Sequence, residues 1–253
     1  MLAGRIAAIH RYPVKGFSPE PLASVALQPG RGLPWDRAFA VEDGPSGFDP
    51  EAPAHLSKMK FTVLAKTPAL ARVRTRYEES TETLEVALEG EAAGFRLGEE
   101  AGRAAFAAWL AARFAADIRG PLRVLAAPEG HRFYDHPEGA LSLINLASVA
   151  DLAARLGRPL DPLRFRANFH VEGWPAWAEL ELVGQRLRLG EAAAEVFAAT
   201  ERCAATHVDL ASGVRDVELV PALWEAYGHK LCGVYLQVLA AGEARLGAEV
   251  GLA

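Results

Sequence analysis

The sequence predicts a β-rich α+β fold with two lobes. Short segments with strand periodicity recur along the chain, glycine- and proline-rich turns separate them, and only a few segments have helical spacing. With 253 residues, 51% of them hydrophobic, the chain can bury the core of one large domain or of two small ones. We expect the lobes to meet near residue 120, where Gly120-Pro121 interrupts the pattern.

The first lobe is predicted to consist mainly of strands. The strand candidates are Arg5–Tyr12, Ala23–Gln28, Arg37–Glu42, Ala71–Tyr77 and Thr83–Leu88. In Ala71–Tyr77, arginines alternate with Val, Thr and Tyr, which is typical of a half-buried strand, and Thr83–Leu88 is its expected hairpin partner. Glu100–Asp117 carries aromatic and leucine side chains at helical spacing and is the clearest helix.

The second lobe is predicted to combine strands with two helices. The strand candidates are Leu122–Ala127, Phe169–Val171, Glu179–Leu182, Gln185–Leu189, Glu195–Ala199 and Val234–Leu239. The helix candidates are Ser148–Leu156, which Gly157 closes, and Leu219–Tyr227.

Composition and missing motifs exclude several functional classes. A net charge of −5 argues against a nucleic-acid partner, and two cysteines cannot form a disulfide-rich scaffold or a four-cysteine iron–sulfur cluster. No segment approaches the roughly 20 apolar residues of a membrane span, so we expect no membrane partner and a cytoplasmic location. Gly30-Arg31-Gly32 begins like a dinucleotide fingerprint, but Asp36-Arg37 follows instead of a glycine and a helix.

Four segments, in this order, match the motifs of a known family. They are RYPVKGF (Arg11–Phe17), GRGLPWDRAF (Gly30–Phe39), RFRANFHVEG (Arg164–Gly173) and ERCAATHVDLASG (Glu201–Gly213). In these segments the chain resembles the MOSC family, which includes the C-terminal part of molybdenum cofactor sulfurases and the mitochondrial amidoxime-reducing component. The resemblance implies an N-terminal β-rich domain over residues 1–120 and a β-barrel-like MOSC domain over residues 121–253.

Three positions depart from the family pattern. Trp35 stands where the family usually has glycine, and Ala167 and Leu210 stand where it usually has proline. These departures bear on loop shape and substrate identity more than on cofactor binding.

The resemblance implies a molybdenum cofactor, a molybdopterin, as ligand. It places the catalytic metal ligand at Cys203, whose thiolate is a soft donor suited to molybdenum, and the adjacent Arg202 would favour the thiolate. The residues implied to bind the rest of the cofactor are Lys15, Arg37 and Arg166 for the phosphate, Asn168 for the pterin edge, Arg202 and Thr206. Ser148, outside the four segments, is a further candidate. Ser148 lies near a predicted helix N-terminus, where it could bind an anion or simply cap the helix.

The implied function is an oxidoreductase that reduces N-hydroxylated small molecules with electrons from a separate donor protein. A non-catalytic cofactor carrier or a sulfur-transfer module is the alternative. In sulfurases the MOSC part is fused to a pyridoxal-phosphate domain, and a chain of 253 residues has no length for that domain.

Zinc is the rival metal. Cys203-x-x-x-His207 and His229-x-x-Cys232 offer two sulfurs and two nitrogens, a set that tetrahedral zinc accepts. Cys232, however, precedes an apolar segment and is more simply interpreted as a core residue.

Overall fold

A closed barrel of seven strands forms the centre of the computed structural model, which describes residues 2–118, 120–138 and 141–253. The strands of the described residues are β1 (Ala3–Arg11), β2 (Glu20–Leu22), β3 (Ser24–Leu27), β4 (Phe39–Asp43), β5 (Arg74–Glu78), β6 (Thr83–Leu88), β7 (Glu91–Arg96), β8 (Leu122–Ala126), β9 (Leu141–Asn145), β10 (Phe169–Glu172), β11 (Arg186–Leu189), β12 (Ala192–Glu201), β13 (Leu231–Ala240), β14 (Gly242–Arg245) and β15 (Glu249–Leu252). The α-helices are α1 (Glu100–Arg113), α2 (Leu146–Leu156) and α3 (Leu219–Tyr227). The short 3-10 helices are Lys58–Lys60, Pro68–Arg72, Pro162–Phe165, Ala178–Leu182 and Ala204–His207. The predicted β-rich α+β class is confirmed.

The barrel runs in the order β1, β15, β11, β12, β13, β9, β10 and closes where β10 pairs with β1. Its neighbouring strands are antiparallel except for β9 and β10. Parallel neighbours need a crossover connection, and α2 supplies it. Strand alternation sends apolar side chains into the barrel, and among those buried there are Ile6, Leu143, Val171, Leu187, Val196, Leu236 and Val250.

A second core lies outside the barrel. Phe106 and Leu110 of α1 are fully buried against the hairpin strands β5 to β7 and against β4 and β8. Val208 and Leu210, which follow Cys203 within its motif, belong to the same core. The segment after Cys203 is therefore anchored in the first half of the chain.

Strands from both sides of residue 120 pair with each other. β1 pairs with β10 and β15, and β4 pairs with β8. The domain ranges 1–120 and 121–253 stay a prediction. None of the described helices is long and apolar enough to cross a membrane.

The structure corrects two strand predictions. Glu179–Leu182 is part of the 3-10 helix Ala178–Leu182, because the Glu179 carboxylate is buried and accepts hydrogen bonds from α2 instead of facing solvent along a strand. In the predicted strand Ala71–Tyr77, regular pairing begins only at Arg74, since Pro68 starts a helical turn that runs through Arg72.

Candidate functional site

The site is a pocket between the barrel and the second core. Its walls come from the segment after β1, from the Lys58 loop, from residues 134–136 and 164–166, and from the end of β12. Six of the eight residues that the sequence singled out line it together: Lys15, Arg37, Arg166, Arg202, Cys203 and Thr206.

Cys203 is placed by the end of a strand. β12 ends at Glu201, and Cys203 begins the 3-10 helix Ala204–His207 as its N-cap residue. The Cys203 carbonyl accepts hydrogen bonds from the Thr206 amide at 3.0 Å and from the Thr206 hydroxyl at 2.9 Å. Thr206 thus fixes the turn that leaves the half-buried Cys203 thiol on the pocket wall.

Arg202 combines two structural bonds with one unused donor. Its Nε donates to the Cys232 carbonyl at 2.6 Å, and its Nη1 donates to the Phe165 carbonyl at 2.7 Å. Its buried Nη2 has no partner among the described residues. Gly233 permits this placement, because its φ is +79° and a Cβ there would lie 2.8 Å from Nη2. Arg202 therefore presents a desolvated cationic donor at a pocket wall.

Arg37 and Arg166 form a pair around one aromatic ring. Each guanidinium lies 4.4 Å from the Tyr12 ring centroid, and each residue has a positive φ, 51° for Arg37 and 54° for Arg166. Arg37 donates to Asp36 at 2.5 Å and to the Arg166 carbonyl at 3.1 Å, whereas Arg166 donates to the Phe17 carbonyl at 2.8 Å. Burial, with help from the neighbouring Arg37, lowers the pKa of Arg166. An anion between the two guanidinium groups would offset the free-energy cost of burying their positive charges.

Lys15 is held by a carboxylate that the sequence did not single out. Its buried ammonium donates to the Phe133 carbonyl at 2.9 Å and to the Asp135 carboxylate. Burial lowers the pKa of Lys15, and Asp135 opposes that effect. Burial would raise the pKa of Asp135, but Lys15 and Lys58 hold it well below its usual range. For Lys58, burial is outweighed by Asp135 and by Cys203, which raise its pKa.

No motif signalled Lys58, because it lies in the first 3-10 helix, Lys58–Lys60, outside the four motifs. Asp135 lies outside the four motifs as well. Only the folded chain brings these two residues to Cys203.

Positive charge dominates the pocket. Its lining includes the cations Lys15, Arg37, Lys58, Arg164, Arg166 and Arg202, against the carboxylates of Asp135 and Glu201. This excess occurs in a chain whose net charge is −5. A concave surface of this kind favours an anionic ligand.

Two predicted cofactor residues lie elsewhere. Ser148 is fully buried in α2, where its hydroxyl donates to Glu179 at 2.8 Å and accepts from the Trp177 amide at 2.8 Å, and the helix cap is Asn145. The helix-cap interpretation of Ser148 is therefore wrong, and its hydroxyl, bonded on both sides, lies outside the pocket.

Asn168 is also committed to structure. Its amide oxygen accepts from the amide and hydroxyl of Ser142 at 3.1 and 3.0 Å, and its amide nitrogen donates to the His10 carbonyl and to Asp36. Because every donor and acceptor of this buried side chain is used, it does not offer a free edge to a pterin.

Arg164 joins two of the sequence motifs. Its buried guanidinium bonds to Asp216 at 2.7 and 3.0 Å, to Asp209 at 3.2 Å and to the His207 carbonyl at 3.2 Å. The sequence placed Arg164 and Asp209 within motifs but gave them no role. Their contact fixes the loop that follows Cys203.

The four residues of the zinc hypothesis do not converge. His207 accepts from the Val220 amide at 3.2 Å, His229 accepts from the Leu231 amide at 3.1 Å, and Cys232 is buried in an apolar cluster that raises its pKa to about 12. No group of three or more His, Cys, Asp or Glu side chains in residues 2–118, 120–138 and 141–253 is placed to hold a metal ion.

Two sequence families match this chain. The MOSC domain matches residues 130–251, and the MOSC N-terminal beta barrel domain matches residues 3–116. The chain belongs to the MOSC family. This family includes molybdenum enzymes, and some of its members hold a molybdenum cofactor.

The solved structures similar to this MOSC protein include YuaD and two YiiM proteins. The YuaD protein from Bacillus subtilis shares 14% identity over 98% of this chain and 94% of its own, with a TM-score of 0.46. YiiM from Geobacillus stearothermophilus (24% identity, TM-score 0.36) and YiiM from Escherichia coli (18%, TM-score 0.34) each match 45% of this chain, which spans 53% of their length. No curated protein is significantly similar.

Proposed function

We propose that this MOSC protein binds a molybdenum cofactor through Cys203 and reduces N-hydroxylated small molecules. The observation that carries the proposal is the position of the half-buried Cys203 thiol on the wall of a pocket rich in cations. The same pocket is lined by Arg202, whose buried Nη2 has no partner among the described residues. A soft thiolate suits molybdenum, and cations suit the phosphate of a molybdopterin.

The residues present fit such a cofactor. A buried donor without a partner costs about 1–3 kcal/mol, and a phosphate or pterin oxygen at Arg202 Nη2 would remove that cost. Arg166 donates from Nη1 to the Phe17 carbonyl and has no carboxylate partner among the described residues, so its other N–H groups are available for the same ligand. Arg37 and Lys15 complete the set, each oriented by an aspartate.

When bound, the cofactor would supply two-electron redox chemistry with transfer of an oxygen atom from nitrogen. The chain's own residues hold and orient it: Cys203 binds the metal, and the arginines bind the anionic end. Val63, Leu64 and Phe165 line the same pocket and would exclude water from the substrate.

Electrons would come from a separate protein. Cys203 and Cys232 are both free, and two cysteines cannot hold a four-cysteine cluster. Free cysteines also agree with a reducing compartment, which supports a cytoplasmic location.

The test is the composition and turnover of protein made in a molybdopterin-competent host. We expect molybdenum and pterin at about one per chain, and turnover of an amidoxime with a chemical reductant but not with NADH or NADPH alone. Protein without molybdenum would contradict the cofactor assignment. Loaded protein that never turns over would support a carrier or sulfur-transfer role instead.

A further inference from the structure

A second pocket adjoins the proposed cofactor pocket and shares Tyr134 and His136 with it. Its walls come from the Gly30–Gly32 turn, from the loop that carries His55, from residues 130–138 and from the end of β13. The proposed function gives this pocket no role.

Basic side chains dominate this second pocket. Arg31 and Arg132 line it, and neither forms an ion pair with a carboxylate within the part of the chain that the structure describes. Arg132 donates only to the neighbouring His131 carbonyl, at 2.5 Å. Glu138 is the one carboxylate among the lining residues, and its backbone amide donates to His136 at 3.3 Å.

Three imidazoles, those of His55, His131 and His136, complete the wall. They are not arranged as a metal site within the described ranges, and two flanking arginines would repel a cation. Burial and the neighbouring Lys15 lower the pKa of His55. Burial and the neighbouring Arg132 lower the pKa of His131. These effects favour the neutral imidazoles, and a bound anion would favour their protonation.

Tyr134 supplies an unused donor at the shared wall. Its buried hydroxyl has no partner among the described residues, and a Cβ at Gly32 would lie 1.9 Å from it. Glycine at position 32 therefore lets the turn approach the hydroxyl. Within the described residues, this hydroxyl and the two arginines that line the same pocket lack acceptor partners, and an acceptor with several oxygens satisfies them best.

We propose that this second pocket binds an oxyanion, a carboxylate or a phosphate group, which is either carried by the substrate of the adjoining site or free in solution. Planar guanidinium groups bind such oxygens in a bidentate manner. The substrate version of the proposal rests on the proposed function, whereas the binding itself does not.

The binding test uses inorganic phosphate and succinate with protein in which Cys203 is replaced by serine, so that no molybdenum chemistry is involved. Proton NMR follows the imidazole pKa values. Both ligands should raise the pKa of His55 and His131, with tighter binding at pH 6 than at pH 8. Arg132→Gln should weaken binding roughly tenfold to a hundredfold, and adding Arg31→Gln should weaken it further. The matched control is Arg188→Gln, an exposed arginine of β11 paired with Glu249. Equal affinity in Arg132→Gln and Arg188→Gln would overturn the proposal.

The source of the oxyanion is decided on molybdenum-loaded protein. An aryl amidoxime and its carboxylated counterpart are compared by the ratio of their kcat/KM values, with the carboxylated compound in the numerator. A substrate-borne oxyanion predicts a ratio above one that falls about tenfold in Arg132→Gln but not in Arg188→Gln. If phosphate binds and the ratio does not depend on Arg132, the oxyanion is a free one. If neither compound is turned over, the proposed function fails, and the phosphate titration still decides the pocket.

Discussion

Replacing Arg164 with methionine should destabilise the protein by about 2–4 kcal/mol. The Arg164 side chain is 4% exposed and bonds to two carboxylates, whose side chains are 33% exposed in Asp209 and 25% exposed in Asp216. Breaking a fully buried ion pair costs about 3–5 kcal/mol, and the partial exposure of both aspartates reduces that figure. Methionine keeps most of the apolar volume, so the loss reports the charge and its hydrogen bonds.

The assay is thermal unfolding at pH 7, where Arg164→Met should lower Tm by about 4–16 °C. Arg158→Met is the matched control, because Arg158 bonds to the same Asp216 but is 42% exposed, and its loss should cost under about 1 kcal/mol. The hydrogen bond from Arg164 lowers the pKa of Asp216. The stability that this ion pair contributes is therefore present above the carboxyl pKa of the unfolded chain and is lost as pH falls below about 4. The difference in Tm between the wild type and Arg164→Met should therefore become smaller at acid pH. Equal Tm shifts for Arg164→Met and Arg158→Met would refute the reasoning.

The remaining predictions concern the pocket and the barrel. Arg202→Met should leave two buried carbonyls without their donor and lower stability by about 2–4 kcal/mol, measured by urea unfolding, and unchanged stability would contradict its bonding role. Arg166→Ala should weaken cofactor retention by about 1.5–3 kcal/mol, read as the pterin-to-protein ratio after gel filtration, while Arg5→Ala at an exposed ion pair should not. Burial and the neighbouring His10 lower the pKa of His170 to about 3. The free energy of unfolding should therefore fall by up to about 1.4 kcal/mol per pH unit as the pH drops from 6.5 toward that value. In a pH series of melting curves, His170→Phe should remove this pH dependence.

Periodicity predicted much of the fold. The strand Thr83–Leu88 and the helix Leu219–Tyr227 occur with the predicted bounds, because each is a simple amphipathic element. β9 was missed, since all five of its residues are buried and such a strand lacks alternation. Barrel closure through β1 and β10 depends on pairing over more than 150 residues, which no local pattern encodes.

Motif resemblance predicted the pocket better than it predicted individual contacts. Charged residues of the motifs, such as Arg166, lie together in the pocket wall, and their contact with a cofactor phosphate stays a prediction. Ser148 and Asn168 lie outside the pocket wall, because a buried polar side chain can equally satisfy a carboxylate or a backbone group, as these two do. Lys58 lies outside the motifs, and only the folded chain brings it to the pocket wall.

Metal content of the two cysteine variants tests the central claim most directly. Wild type, Cys203→Ser and Cys232→Ser are made in a molybdopterin-competent host and compared by plasma mass spectrometry and melting curves. Cys203→Ser replaces a soft donor with a hard hydroxyl on a half-buried wall, so molybdenum should be lost while Tm stays near that of the wild type. Cys232→Ser places a hydroxyl in an apolar cluster, so Tm should fall while molybdenum remains. Molybdenum retained in Cys203→Ser would contradict the ligand assignment.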